Sequence, residues 1–322
     1  MNKNKKYVFV KFQKTNTQKE SKGEDPKTHI CDWKYIITNW DQLRQESRHV
    51  IIRSLRIGIP EKYRGKVWAL LTEAEKAKAE AGFKYSQKKK EPSKYDNIIN
   101  LDVPRTFPTW IQQPSPKMME QLRRILTAYA NTDSEIGYTQ GMNFIAAMFL
   151  LYQDEETAFW SFYSMMHLSS IPHREFFKND FPKLQLAQIV IDRLIRERFP
   201  TFSKNLQEQE LDSTFFAPQW VMVCFLNAGF DKKLSSFIFD QFLAYGIGPL
   251  ISFGMAILEL HQKYFENQGI EKMMQILTSP GDSPEMFYKE KVNLAWNKHF
   301  INSNEYNKLQ REAVLEKANS KV

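Results

Sequence analysis

The chain has 322 residues, enough for one large domain or two small ones; its 42% hydrophobic and 25% charged residues are ordinary for a soluble globular protein, and 12 glycines and 14 prolines argue against long disordered or collagen-like stretches. Its only cysteines, Cys31 and Cys224, leave no disulfide framework and no CxxC metal site, and fit a reducing, cytosolic setting. The net charge of +8 is unevenly placed, since residues 1–30 hold eight lysines against Glu20, Glu24 and Asp25, a local balance of +5.

That lysine-rich start, residues 1–32, reads as a basic flexible arm, able to touch an anionic membrane surface or simply to remain solvated. Its apolar core is too short for a signal peptide. From Trp33 to Leu55 the apolar spacing is helical. "RIGIP" (56–60) marks a turn, and Pro60 suits the first position of a helix running into "EKYRGKVWALLTEAEKAKAEA". Residues 82–97 read as a basic loop. In "NIINLDVPRTFP" (97–108) the residues before proline, Val103 and Phe107, are expected to be extended. Ser115 and Pro116 cap and open a helix to Ala130. "NTDSEIGYTQG" (131–141) is a loop, "MNFIAAMFLLYQ" (142–153) a buried central helix, and "DEETAFWSFYSMM" (154–166) another helix with an acidic first turn.

Further helical spacing covers Leu184–Arg198, Phe216–Ala228, Leu234–Tyr245, Leu250–Phe265 and Ile270–Thr278. The polar tail from 281 to 322 has helical potential in "YNKLQREAVLEKA". No segment alternates as a strand does. The class is all-α, roughly a dozen helices in two helical lobes with no significant sheet, and residues 33–280 form the main domain. The longest apolar run, Met142–Leu151, is about half of the ~20 residues a bilayer crossing needs.

Several chemistries are missing. "GIPEKYRGKV" (58–67) has the wrong spacing for a phosphate loop, and Val67 stands where a magnesium-binding hydroxyl belongs. There is no guanine-reading NKxD element, no GxSxG elbow and no nucleic-acid motif. His167 and His173 lack metal-ligand companions, and "YGIGPL" lacks the third glycine of a dinucleotide loop.

Three short constellations remain. Arg64 and Trp68 lie four apart on a helix and share a face, an arrangement a surface arginine above a core tryptophan would also give. Ile99, Asp102 and Arg105 follow at intervals of three. The prolines at 104 and 108 stiffen the segment, and Arg105 carries a permanently charged fork suited to phosphate oxygens. A salt bridge between Arg105 and Asp102 explains the pair equally well. In "YTQGM", Gln140 lies where a loop enters the buried helix, either as a cap or as an amide able to donate to and accept from a water. Gly137 and Gly141 permit tight turns beside it.

Together, "RIGIPEKYRGKVW", "IINLDVPRTFP" and "IGYTQGMNFIAA" resemble, in content and order, the TBC domain of Rab GTPase-activating proteins. The likeness continues more loosely through "FAPQWVMVCFLNAGF" and "FIFDQFLAYG", and covers about residues 50–270. Phe239-Asp240 departs from the Trp-Asp frequent there, which touches packing more than catalysis. The resemblance implies a cytoplasmic GTPase activator, peripheral to endomembranes through its basic arm, that acts in vesicle trafficking. Its partner would be a Rab-family GTPase in its GTP-bound form. It needs no cofactor of its own, because GTP and Mg²⁺ belong to that partner, and no nucleic acid is expected.

Arg105 would be an arginine finger and Gln140 a second finger that positions the attacking water. Asp102, Arg64, Trp68, Tyr138, Ile99, Thr106, Gly141 and Met142 would support them or line the interface. Asp102 would pair with either Arg64 or Arg105. A catalytically silent TBC module that binds a GTPase or scaffold is the alternative, and a basic helical adaptor on membrane or nucleic acid a more distant one.

Overall fold

A computed structural model describes residues 30–319 apart from 109, 112, 168–172, 266–268 and 288; the arm expected at 1–32 lies almost wholly outside the described residues. Every regular element among the described residues is helical. The Trp33–Leu55 region is three short helices, α1 (Trp33–Thr38), α2 (Trp40–Glu46) and α3 (Arg48–Ile57), which bury Trp33, Ile36, Trp40, Leu43, Val50 and Leu55. Gly58 ends α3 at φ 123°, and α4 (Glu61–Leu71) follows with Pro60 as its extended N-cap rather than its first residue. After α5 (Ala74–Glu80), the segment expected to be a basic loop holds the single-turn α6 (Tyr85–Lys88) and the start of α7 (Asp96–Asp102).

At the end of α7 the chain departs from the expectation. Val103 precedes Pro104 yet is helical, at φ −54° and ψ −47°, and Val103–Arg105 form a 3₁₀ turn. Tertiary burial overrides the local proline bias. Ile99, Asp102, Val103 and Thr106 are all buried, and only a continued helical path turns all four inward.

The centre of the molecule is legible from pattern. Ser115 accepts the Met118 N–H and caps α8 (Pro116–Ala130). Helix α9 (Met142–Leu150) is buried along nearly its whole length and packs between α8 and α10 (Glu155–His167). Beyond it come α11 (Pro182–Arg198) and α12 (Pro200–Glu208).

The helix expected over Phe216–Ala228 is instead a π-helical turn at Pro218–Met222 followed by left-handed Cys224 and Phe225, at φ 53° and 58°. This reversal seats Trp220 and Phe225 against each other, with their ring centroids 5.7 Å apart. The Trp220 indole N–H donates to the Leu277 carbonyl at 2.8 Å.

Asp231 caps α13 (Lys232–Tyr245), and α14 (Gly248–Leu260) is a second helix buried nearly throughout. His261 interrupts the chain before α15 (Gln262–Phe265), and α16 (Ile270–Thr278) follows. At the C-terminus α17 (Lys289–Lys298) packs on α14, and α18 (Ser303–Asn319) on α11 and α14. Among the described residues no helix is long and apolar enough to cross a membrane.

Candidate functional site

Helix α7, its 3₁₀ extension and the 131–141 loop come together around one carboxylate. Asp102 is 1% exposed. Its Oδ1 accepts from the Arg105 guanidinium at 2.5 and 3.0 Å, and its Oδ2 accepts from the Tyr138 hydroxyl at 2.5 Å. Of the two partners left open for Asp102, the structure selects Arg105. Burial, with the Asp102 carboxylate beside it, pushes the Tyr138 phenol well above its usual range, so it stays a donor.

A second link runs parallel to the first. The Thr106 hydroxyl donates to the Asp102 carbonyl at 2.7 Å and accepts from the Asn143 amide at 2.8 Å. Asn143 in turn accepts the Gly141 backbone N–H at 2.9 Å. Thr106, Gly141 and Asn143 are all buried, so each bond lies in a low-dielectric interior where a lost partner is costly. Asn143 is not among the site residues expected from the sequence. The signal was available, since a lone amide within "MNFIAAMFLL" has to find partners when the helix is buried.

The loop itself is tied down from three sides. Asp133 accepts from the Ile136 N–H, the Tyr129 hydroxyl and both arms of the Arg174 fork, the last at 2.7 and 2.8 Å. The Tyr95 hydroxyl donates to the Ile136 carbonyl at 3.3 Å. Gly137 sits at φ 65° under the Tyr95 ring, where a Cβ would lie 2.0 Å from a ring carbon. Gly141, at φ 108°, begins α9. Met142 is buried, and its sulfur lies 3.4 Å from the Thr139 nitrogen.

Against this buried background two polar side chains reach outward. The Arg105 side chain is 60% exposed, while that of its partner Asp102 is buried. Gln140 is exposed and makes no side-chain hydrogen bond among the described residues. Ile99, Thr106, Tyr138, Gly141 and Met142, all buried, form the support from which those two project.

Arg64 and Trp68 belong to a different centre. Both turn to Asp240 on α13, which is fully buried. The Arg64 Nε and Nη2 donate to its carboxylate at 3.1–3.2 Å, and the Trp68 indole N–H donates to Oδ1 at 2.7 Å. Arg64 also donates to the Ile59 carbonyl at 2.7 Å, closing the "RIGIP" turn. Burial pushes the Asp240 carboxyl up to about 6, and the Arg64 charge only partly offsets it. The shared face of Arg64 and Trp68 therefore serves a structural ion pair between α4 and α13, with Trp68 edge-on to Phe149, Tyr152 and Phe239.

The model of the Rab-GTPase-TBC domain family matches residues 61–265. A Caenorhabditis elegans relative, the Rab GTPase-activating protein tbc-11, is 31% identical over 237 residues, covering 72% of this chain and 25% of that protein. The human ecotropic viral integration site 5 protein homolog is 28% identical over 245 residues, covering 76% of this chain and 30% of that protein. The chain thus spans less than a third of the length of these curated relatives.

Among solved structures, the Ypt/Rab-GAP domain of Gyp1p superposes with a TM-score of 0.59 at 17% identity, covering 87% of this chain and 98% of that one. The Chlamydomonas flagellar RabGAP TBC domain gives 0.58 at 21% identity, covering 89% and 95%. These likenesses establish the all-α fold. The family pattern across residues 61–265, together with 31% identity to tbc-11 over 72% of this chain, means that the chain belongs to the Rab-GTPase-TBC domain family.

Proposed function

We propose that the chain activates GTP hydrolysis by a Rab-type GTPase in its GTP-bound form, supplying Arg105 and Gln140 in trans. The observation that carries this reading is the contrast within one site: two exposed polar side chains on backbone fixed by buried hydrogen bonds. Phosphoryl transfer asks a helper protein for charge stabilisation and an oriented water, with little covalent chemistry. A guanidinium supplies the first and a primary amide the second. GTP and Mg²⁺ stay with the partner, and the activator itself needs no cofactor. The reading makes the chain a regulator of vesicle trafficking on the cytoplasmic side of endomembranes, with the basic arm as its membrane contact.

On docking, Arg105 exchanges Asp102 for phosphate oxygens. The arginine is 60% exposed, but the carboxylate it leaves is buried and keeps the Tyr138 hydroxyl, so giving up the pair costs about 1–3 kcal/mol. An arginine finger contributes ~10³–10⁵ in rate, or roughly 4–7 kcal/mol of barrier. The exchange is therefore strongly favoured in the transition state, and Asp102 holds the finger near its working position beforehand.

Single-turnover phosphate release from a panel of GTP-loaded Rab GTPases tests the reading. Arg105→Ala and Arg105→Lys should both lower the stimulated rate by orders of magnitude, and Gln140→Ala should lower it too. A lysine variant with near-wild-type stimulation would show that bidentate phosphate contact is the wrong explanation. Binding that leaves the GTP lifetime unchanged would instead identify a silent module.

A further inference from the structure

The outer face of α7 carries two large apolar side chains, Ile98 and Leu101, beside exposed Asn97 and Asn100. Ile98 is 48% exposed and Leu101 72%; among the described residues no large hydrophobic is more exposed than Leu101. Helical spacing sets Asn97, Ile98, Leu101, Pro104 and Arg105 on one side, and all five are exposed. The opposite side, with Ile99, Asp102, Val103 and Thr106, is buried. Leu101 is thus one helical turn behind Arg105, on the face from which the arginine projects.

We propose that Leu101, flanked by Ile98, is an apolar anchor that docks on the GTP-bound partner, against an apolar patch on the rim of its nucleotide pocket. The inference rests on the GTPase-activating reading. An arginine that reaches phosphate inside another protein carries its own helical segment against that protein's surface. A side chain four residues back on the same face, roughly 6 Å along the axis, then meets the rim of the pocket. An apolar rim covers leucine and isoleucine without leaving polar groups of its own unpaired. The backing of this face is fixed by the Asp102 and Thr106 hydrogen bonds, so the anchor loses little freedom on docking. Leu101 sets affinity, and Arg105 and Gln140 set the rate.

The test uses the full chain and the same GTPase panel, with KM and kcat measured on the GTPase that the wild type stimulates most. Leu101→Ser should raise KM at least tenfold and leave kcat within about twofold, with an unchanged melting transition. Leu101→Met should stay near wild type. Leu294→Ser, which removes an equally exposed leucine from α17, should change neither constant. A KM within twofold of wild type for Leu101→Ser, or a loss confined to kcat, overturns the anchor and leaves the activating reading standing.

If the wild type binds a GTP-loaded panel member without hastening hydrolysis, the activating reading fails, and binding decides the anchor. A tenfold weaker complex with Leu101→Ser then supports it, and an unchanged one overturns it. If the wild type neither binds nor stimulates any panel member, both ideas fall.

Discussion

Asp102 divides its carboxylate between the arginine segment and the glutamine loop, and Asn143 repeats that division through its amide. The two links make the relative placement of Arg105 and Gln140 a property of buried hydrogen bonds. Asn143→Ala removes the acceptor of the Gly141 N–H and the donor to Thr106 together. Each buried group left unsatisfied costs ~1–3 kcal/mol. The variant should therefore unfold at lower denaturant, and it should lose roughly 10²-fold in kcat through misplacement of the fingers. Chemical denaturation and single-turnover hydrolysis measure the two effects separately; a destabilised variant with full kcat would show that Asn143 braces the fold alone. Local spacing made Ile99, Asp102, Arg105 and Gln140 visible in the sequence. It could not show that Arg64 and Trp68 meet at Asp240, which lies 176 and 172 residues further along the chain. Nor could it decide between Arg64 and Arg105 for Asp102, since that choice depends on where α13 packs.

At the scale of elements, the functional surface is a short helix with a 3₁₀ end laid beside a loop that returns into α9. Helices with a cap and a clear apolar run were legible: α8 from Ser115 and Pro116, α9 from its unbroken apolar stretch, α16 from its spacing. Where the chain bends to seat a large ring, periodicity misled. The 216–228 segment keeps helical spacing, yet left-handed Cys224 and Phe225 reverse it so that Trp220 and Phe225 can stack. The contact between α7 and the loop is equally steric, because the Tyr95 ring lies over Gly137. An alanine there meets both a left-handed backbone angle and the ring. Gly137→Ala should cost ~1–3 kcal/mol of stability. Because the loop moves to relieve the overlap, it should also lower stimulated GTP hydrolysis by more than the unfolded fraction explains. Adding Tyr95→Ala should recover part of both losses. If the double variant behaves as the sum of the two single changes, the ring contact does not set the loop position.

For the molecule as a whole, stability depends on buried groups that join distant segments, and His173 is the clearest. It is fully buried, and its ring packs on Phe176, Phe177 and Phe242, tying its own turn to α13. Its Nε2 lies 2.7 Å from the Met222 carbonyl and donates to it, which joins the π-helical turn to the same point. Nδ1 has no hydrogen-bond partner among the described residues, so a second ring proton would be buried without an acceptor. Burial accordingly pushes the imidazole down to about 4. Between that value and the ordinary 6.5, the unfolded chain binds a proton that the folded chain refuses. Stability is thus fully present above about pH 6.5 and is lost as pH falls toward 4, by about 3 kcal/mol from this group alone. His173→Gln keeps an N–H for Met222 and removes the titration. Denaturant midpoints at pH 7 and pH 4.5 should show the wild type losing more stability on acidification than the variant does. Equal losses would mean that the imidazole takes up its proton as readily in the folded chain as in the unfolded one.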